Sequence, residues 1–561
     1  MLIGARLTDQ GTGLLSILAA RAGAWHVYCC EMSEALCEVA RECIRVNGCE
    51  EKVSVLNFHS SALRPSHLSR GPPQVLVTEL VDSGLFGEHI VSVLSDARRL
   101  LSPDAIVIPH SASLWAQLIE SEEIRYRKEH RNAEGELEAM AEEIYTCDNL
   151  SNLNFSALSA PFLVSNLSFS ELEALQSSLS FSQSCRVLSS GIVDAVATWF
   201  ELHLTDPAGD EPISVSTTPG RSNCGWDQAI HFVQGVQAKS GSDVLCRFQV
   251  LNEVMSVSVD GCSPATSPSR LGEMDIAALN DTIWWQEFGN AVKMAVSAFP
   301  ESIVIESTSR QRSVLIHCDT QCEGVCLTST KACSNYIGSS LASSHQHLVV
   351  SDATLFEHCS QRSDMDTGSF VLVCDLVEGS GLMRQRILQE IAYSLRCLRD
   401  VKRIIPYSFK VHVAIFESPE TKSRYVVNSE NTVGVDLDHI NQYRSTRICE
   451  LVFQSVAFRQ LSDESTVDVD MSKIKNCDDI VVEDVVSVKI ENPGTVHLVG
   501  FWFSFDLYNC HSLSLRANEL SSSHCRQAGF MVDEFIVHNG DELEIVVTVS
   551  LSFGVHCRLK R

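Results

Sequence analysis

GTGLLSILAARAGAWHVYCCE, residues 11 to 31, reads as a glycine turn, a helix and a strand that stops on an acid. Gly11, Thr12 and Gly13 form the turn, Leu14 to Ala22 carry a helical pattern, and Trp25 to Cys30 are an apolar strand ending at Glu31. Glycines between a strand and a helix let backbone N–H groups approach a ligand, and an acid at the end of the next strand can hold ribose hydroxyls. The 18 residues from Gly13 to Glu31 are close to the ~20 of nucleotide-cofactor sites. Several nucleotide-type cofactors fit that spacing.

Outward from this stretch the βαβ rhythm continues. A helix is predicted over Ser33 to Asn47, a strand over Val53 to Phe58 and another over Gln74 to Thr78, ending at Glu79. That order predicts a doubly wound parallel sheet, whose ligands bind beyond the carboxyl ends of the strands. The loop that follows, VTELVDSGLFGEH (77 to 89), carries Glu79 and Glu88. Two carboxylates converging from one turn stay ionised comfortably only with a cation between them. A guanidinium meets that need, because its planar fork makes parallel charge-assisted bonds. On spacing alone a divalent metal, a glycosidase-type acid/base pair, or one structural and one solvated glutamate are the alternatives.

From about residue 110 the pattern changes to alternating strands such as GIVDAVATWFELHL (191 to 204) and DVLCRFQVL (243 to 251). These predict an antiparallel β-domain over 110–261, with a helical insertion over about 121–185 and a Ser/Pro linker over 262–275. The chain then repeats itself. TELVDSGL (78 to 85) returns as CDLVEGSGL (374 to 382), IPHSASLWAQLIES (108 to 121) as IPYSFKVHVAIFES (405 to 418), and GIVDAVATWF (191 to 200) as GTVHLVGFWF (494 to 503). Order and offset are kept across two domain types, so the whole module is duplicated. The first α/β domain is read as 1–109, its copy as 276–406 and the second β-domain as 407–561.

Composition sets the outer bounds. A chain of 561 residues with 45% hydrophobic and 20% charged residues folds into several domains. The formal charge of −28 repels nucleic-acid phosphate and favours cationic partners such as Arg-rich peptides. The 22 cysteines are scattered, without a CxxC, and read as small buried residues of a reducing compartment, with no metal site. No stretch reaches the ~20 apolar residues of a membrane span. Direct nucleic-acid binding and a membrane location are therefore not expected.

GTGLLS, the strand ending in CCE, TELVDSGLFGEH with acids nine apart, and LLSPDAIVIP resemble, in that order, the protein arginine methyltransferases. The duplication restricts the resemblance to the two-module members. It implies a Rossmann-like class I methyltransferase sheet followed by an antiparallel β-barrel, the pair in tandem, with the two modules forming an intramolecular pseudo-dimer. It implies S-adenosylmethionine over Gly11, Thr12 and Gly13, its ribose on Glu31 and its adenine at the backbone of Ser60 and Ser61. Glu79 and Glu88 would then clamp a substrate guanidinium, with Trp226 on the substrate loop. Monomethyl and symmetric dimethyl products, a splicing-factor-type protein substrate and a cytoplasmic, also nuclear, location are further implications. The alternative is a catalytically impaired scaffold that binds Arg-rich partners.

Four departures qualify the resemblance. MLIGARLTDQGTG holds only the end of the family's first strand, with Asp9 two residues before Gly11 and the first glycine missing; together with the lack of the family's N-terminal helices, this predicts a chain truncated at its N-terminus. Cys224-Gly225-Trp226 stands where the family has Thr-His-Trp. In the second copy Asp375 replaces Glu79 and Arg384 replaces Glu88, and an arginine there is expected to repel a guanidinium. VLIHCDTQCEGVCL (314 to 327) lacks the glycine turn, so the second module is expected to be catalytically silent, with His524 a structural relic. His231 and His412 lie in strand patterns and are read as core or surface residues.

Overall fold

Val27–Glu31 is buried on both faces, which is why VYCCE reads as an unbroken apolar run rather than an alternating one. It belongs to a five-stranded sheet in a computed structural model that describes residues 2–4, 11–132, 134–169, 178–220, 225–261, 269–308, 313–317, 322–328, 331–339, 347–361, 368–427, 432–443, 447–451, 458–516 and 525–560. Asp9, Cys224 and His524 lie outside the described residues, as do 170–177 and 262–268. The chain divides into two compact units, one built from 1–129, 141–268 and 426–444, the other from 130–140, 269–425 and 445–561.

In the first unit the α/β domain runs β1 (Leu2–Gly4), α1 (Leu14–Arg21), β2 (Val27–Glu31), α2 (Glu34–Val46), β3 (Val53–Asn57), β4 (Val75–Thr78), α3 (Ile90–Arg98) and β5 (Ile106–Ile108). The strand order is β3-β2-β1-β4-β5, all parallel. Strand order therefore reverses at β1, the position where open α/β sheets bind ligands. Ser33 caps α2 by accepting from Leu36 N, and the helix buries Cys37, Ala40, Cys43 and Ile44, the i, i+3, i+4 stripe of an amphipathic helix. Val435 and Leu437 join the same apolar cluster. They are fixed there by Arg21 Nη1 donating to Gly434 O (3.0 Å), Asn47 Nδ2 to Asp436 O (2.7 Å) and Asp436 N to Asn47 Oδ1 (3.0 Å). Nothing in the sequence pattern signalled that segment's place in this unit.

The antiparallel domain has two sheets. One is built on β6 (Ser111–Glu120), Gly191–His203 and Gln228–Ala238, the other on Ser178–Arg186, Asp243–Leu251 and Val254–Val259. Val193, Val196 and Phe200 of the first share a core with Cys246, Phe248 and Val250 of the second. Each such side chain contributes roughly 1.5–3 kcal/mol when fully buried.

The expected helical insertion over 121–185 is corrected. Among the described residues of that segment only α4 (Glu122–Lys128) and the single turn Leu150–Asn152 are helical, and strands Leu137–Ala141, Tyr145–Asp148, Phe162–Ser168 and Ser178–Arg186 fill most of the described remainder. The charge-rich start of the segment suits a helix, but Phe162–Ser168 pairs with β6 and Ser178–Arg186 with Asp243–Leu251. These ladders override local propensity. The linker is shorter than expected as well, since Ser269–Leu271 is already a strand and a helix begins at Glu273.

The second unit repeats the first unit's parallel sheet and its two antiparallel sheets. Its parallel sheet is ordered Leu348–Ser351, Gly324–Thr328, Ile303–Thr308, Ser369–Cys374, Asp400–Ile405. Its antiparallel sheets are built on Ser408–Glu417, Gly494–Tyr508 and Gln527–Val537, and on Ile480–Lys489, Glu542–Ser550 and Gly554–Leu559. Even register is kept, with Trp199 opposite Trp115 and Trp502 opposite His412. Among the described residues no helix is long and apolar enough to cross a membrane, no group of three His, Cys, Asp or Glu side chains is placed to hold a metal ion, and the cysteines are free thiols, most of them buried.

Candidate active site

Parallel pairing sets the site's geometry. Gly4 of β1 is in register with Cys30 on one side and with Thr78 on the other, so Glu31 and Glu79 are each the next residue, on opposite sides of the end of β1. At ~4.8 Å per strand they stand roughly 10 Å apart across it.

Glu31 is buried, with 1% of its surface exposed. Its Oε1 accepts from Ser33 N at 2.7 Å, whereas Oε2 is buried with no partner. A buried carboxylate oxygen left without a donor is costly and therefore rare. A hydroxyl-bearing ligand at the strand end would satisfy it. The turn leading into α1 lies alongside. Gly13 caps that helix with φ +78°, a conformation that favours glycine. At Gly11 a Cβ would come within 2.6 Å of Leu36, and Thr12 between them is half-buried. A glycine turn and an unsatisfied buried acid fit a ribose-bearing cofactor.

Ser60 and Ser61 form a short turn after β3, beyond Asn57, the register partner of Glu31. Their carbonyls accept from Arg99 Nη2 at 3.3 and 2.8 Å, and Ser61 N donates to His59 Nδ1 at 3.2 Å. This backbone is thus held in place by Arg99 and His59, neither of which the sequence reading singled out.

The acid loop is a braced turn. Leu85 N donates to Asp82 O at 2.9 Å, Leu85 takes φ +74°, and Leu85 and Phe86 are fully buried. Asp82 Oδ1 accepts from Gly87 N at 2.9 Å, and Asp82 Oδ2 accepts from the Tyr145 hydroxyl. Trp226 Nε1 donates to Val81 O at 2.9 Å while its ring meets Phe200 edge-on at 5.8 Å. Trp226 thus fastens the loop that carries the acids. Glu79 and Glu88 flank it, both half-buried. Burial, then the Asp82 and Glu88 carboxylates, push the Tyr145 phenol well above its ordinary pKa, so it remains a donor. A Cβ at Gly84 would lie 2.8 Å from the Tyr145 ring, which is why that side of the turn takes glycine. Tyr145 is 63 positions from Asp82, and no local pattern could have signalled the pair. Tyr145→Phe should remove the donor, leave the fold intact and lower kcat/KM about tenfold, the ~1.4 kcal/mol of one hydrogen bond to a charged acceptor; steady-state kinetics check it.

His231 is fully buried and bonded to Thr198 at 3.1 Å, with burial lowering its pKa to about 3, so it is a neutral core residue. His412 bonds Ser504 at 2.7 Å and stacks on Trp502. In the second copy the structure brings Asp375 and Arg384 together.

A doubly wound sheet with a buried acid at the end of its second strand and a braced turn flanked by two acids after its fourth, followed by an antiparallel domain, is the arrangement of an α/β protein whose site lies at the strand ends. The comparisons are narrower. A family model described as the arginine methyltransferase oligomerization subdomain matches residues 110–256 and again 409–556. The chain is 25% identical to protein arginine N-methyltransferase 9 of Xenopus laevis, over 96% of this chain and 77% of that protein. It is 31% identical to the arginine N(omega)-methyltransferase of Streptomyces achromogenes subsp. streptozoticus, over 46% of this chain and 71% of that protein. A solved Trypanosoma brucei PRMT1 enzyme-prozyme heterotetrameric complex with AdoHcy aligns with 47% of this chain and 84% of that one, at 19% identity and a TM-score of 0.37. The chain belongs to the protein arginine methyltransferase family, and methyl transfer to arginine is the activity that membership carries.

Proposed function

We propose that the first module methylates guanidinium nitrogens of protein arginines using S-adenosylmethionine, giving monomethyl and symmetric dimethyl products. The observation that carries this is the partnerless buried Oε2 of Glu31, one strand removed from the end of β1, with the braced acid loop on the strand's other side. Gly11, Thr12 and Gly13 would hold the cofactor's backbone-facing side, Glu31 its ribose, and the turn at Ser60 and Ser61 its adenine. When bound, the cofactor supplies a methyl group on a sulfonium centre.

Glu79 and Glu88 hold the substrate guanidinium through charge-assisted bonds. They draw its positive charge toward themselves and leave the far nitrogen with a usable lone pair. Trp226 and Asp82 keep the loop rigid, so the nitrogen is presented in one orientation, and alignment supplies much of the rate. The net charge of −28 favours encounter with an Arg-rich, splicing-factor-type substrate, met in the cytoplasm and nucleus. The oligomerization subdomain, matched twice, supports tandem modules acting as an intramolecular pseudo-dimer.

Isothermal titration with S-adenosylhomocysteine tests the cofactor assignment. The wild-type chain should bind with a measurable heat, and Glu31→Ala should weaken binding by about ten- to a hundredfold, the ~1.5–3 kcal/mol of a hydrogen bond to a charged group. No heat from the wild type would overturn the reading.

A further inference from the structure

The duplication supplies a second acid loop in which one residue has changed sign. Strand Ser369–Cys374 corresponds to β4, and Asp375, 6% exposed, follows it as Glu79 follows Thr78. Gly381 N donates to Glu378 O at 3.0 Å with φ +79°, as Leu85 N donates to Asp82 O with φ +74°. The turns therefore superpose at an offset of 296 positions, which carries Glu79 to Asp375 and Glu88 to Arg384.

Arg384 does not point away. Its Nη2 lies 3.8 Å from Asp375 Oδ2, its Nε donates to Val377 O at 3.2 Å, and its backbone N donates to Leu376 O at 2.8 Å. The guanidinium thus lies at ion-pair distance from the carboxylate at the strand end and donates to a loop carbonyl. Beside it the cleft at the strand ends persists as a cavity of about 470 Å³, lined among others by Thr308, Thr328 and Arg384. Thr328 ends its strand where Glu31 ends β2, so the ribose-type acid is absent from this copy.

We propose that the second module's acid loop is a guanidinium-binding site filled in cis by Arg384. The expectation that this arginine repels guanidinium is sharpened: it excludes a substrate arginine by occupying its place. The proposal rests on the first loop being a guanidinium holder. Emptying the site should leave a receptor for a small guanidinium cation, with Asp375 as its anion.

The test is the full chain carrying Arg384→Ala, melted with and without millimolar methylguanidinium chloride. The variant should melt several degrees below wild type and recover saturably with methylguanidinium but not with methylammonium. The wild type and Asp375→Asn/Arg384→Ala should show only the common response of the intact first acid loop, and the single variant should gain beyond it. No recovery of the single variant, or equal recovery of single and double variants, overturns the proposal. If Arg384→Ala does not fold, Arg384→Gln retains most of the bulk and is judged by the same comparison. The difference between the single and double variants arises in the second module, so its absence beside a first module that loses turnover on acid-loop substitution removes only the cis-filled site.

Discussion

Glu88→Gln should cut arginine methylation by at least about 30-fold while S-adenosylhomocysteine affinity stays within a few-fold of wild type. The amide keeps the side chain's size and one acceptor but removes the charge that the guanidinium needs. Removing one partner of a half-buried charge pair costs about 2–5 kcal/mol, which is about 30-fold to about 5,000-fold in kcat/KM. The turn is braced by Gly87 N on Asp82, Trp226 on Val81 O and the buried pair Leu85 and Phe86, groups that the substitution leaves in place. The second copy supports this separation of roles. There the same turn forms with Arg384 nine residues beyond Asp375, so the fold does not require an acid at that position. Product formation by mass spectrometry, read beside titration calorimetry, decides it. Near-normal turnover with intact binding would end the clamp mechanism, and loss of both would point to misfolding.

How much of this was readable beforehand depends on how local each signal is. VYCCE carried its own strand and its own stop, since burial on both faces leaves an apolar run and Glu31 breaks it. The parallel order followed from the βαβ rhythm, and the duplication from repeats that keep their order. Non-local pairings were not readable. Phe162–Ser168 is a strand because β6 offers it an edge, and Tyr145 reaches Asp82 only through the folded chain. Val435 and Leu437 pack on α1 and α2 from nearly four hundred positions away. Glu31 was named for its place at a strand end, but that one of its oxygens is bonded and the other is left over is a fact of packing alone. Arg384 shows the converse. Its sign was evident, yet sign alone suggested repulsion toward a guanidinium, whereas its geometry makes it the guanidinium.

Asp194→Ala should strongly destabilise the first antiparallel domain. Asp194 lies on strand Gly191–His203 with 1% of its surface exposed. Its carboxylate accepts from Arg125 Nε at 2.9 Å and Nη2 at 2.8 Å, and from Ser121 N at 2.9 Å, so it pins α4 at its first turn. Its backbone carbonyl accepts from the fully buried Lys128 ammonium, which Val233 O shares. Truncation leaves a guanidinium and a buried N–H without their acceptor. Breaking a buried pair from one side costs about 3–5 kcal/mol. The Arg125 side chain retains 32% exposure, so water recovers part of that and the low end, about 3 kcal/mol, is expected. At ~2–4 °C per kcal/mol for a domain of this size, the melting midpoint should fall by roughly 10 °C. Asp194→Asn, which keeps an acceptor for Ser121 N and loses only the charge, should fall by less than half as much. Because Tyr145–Asp148 is paired to the neighbouring strand Gln228–Ala238 and Tyr145 braces the acid loop, turnover measured well below the midpoint should survive while thermal inactivation quickens. A melting midpoint within a degree of wild type would mean that α4 is held by its apolar contacts, with Ile124 fully buried, rather than by this carboxylate.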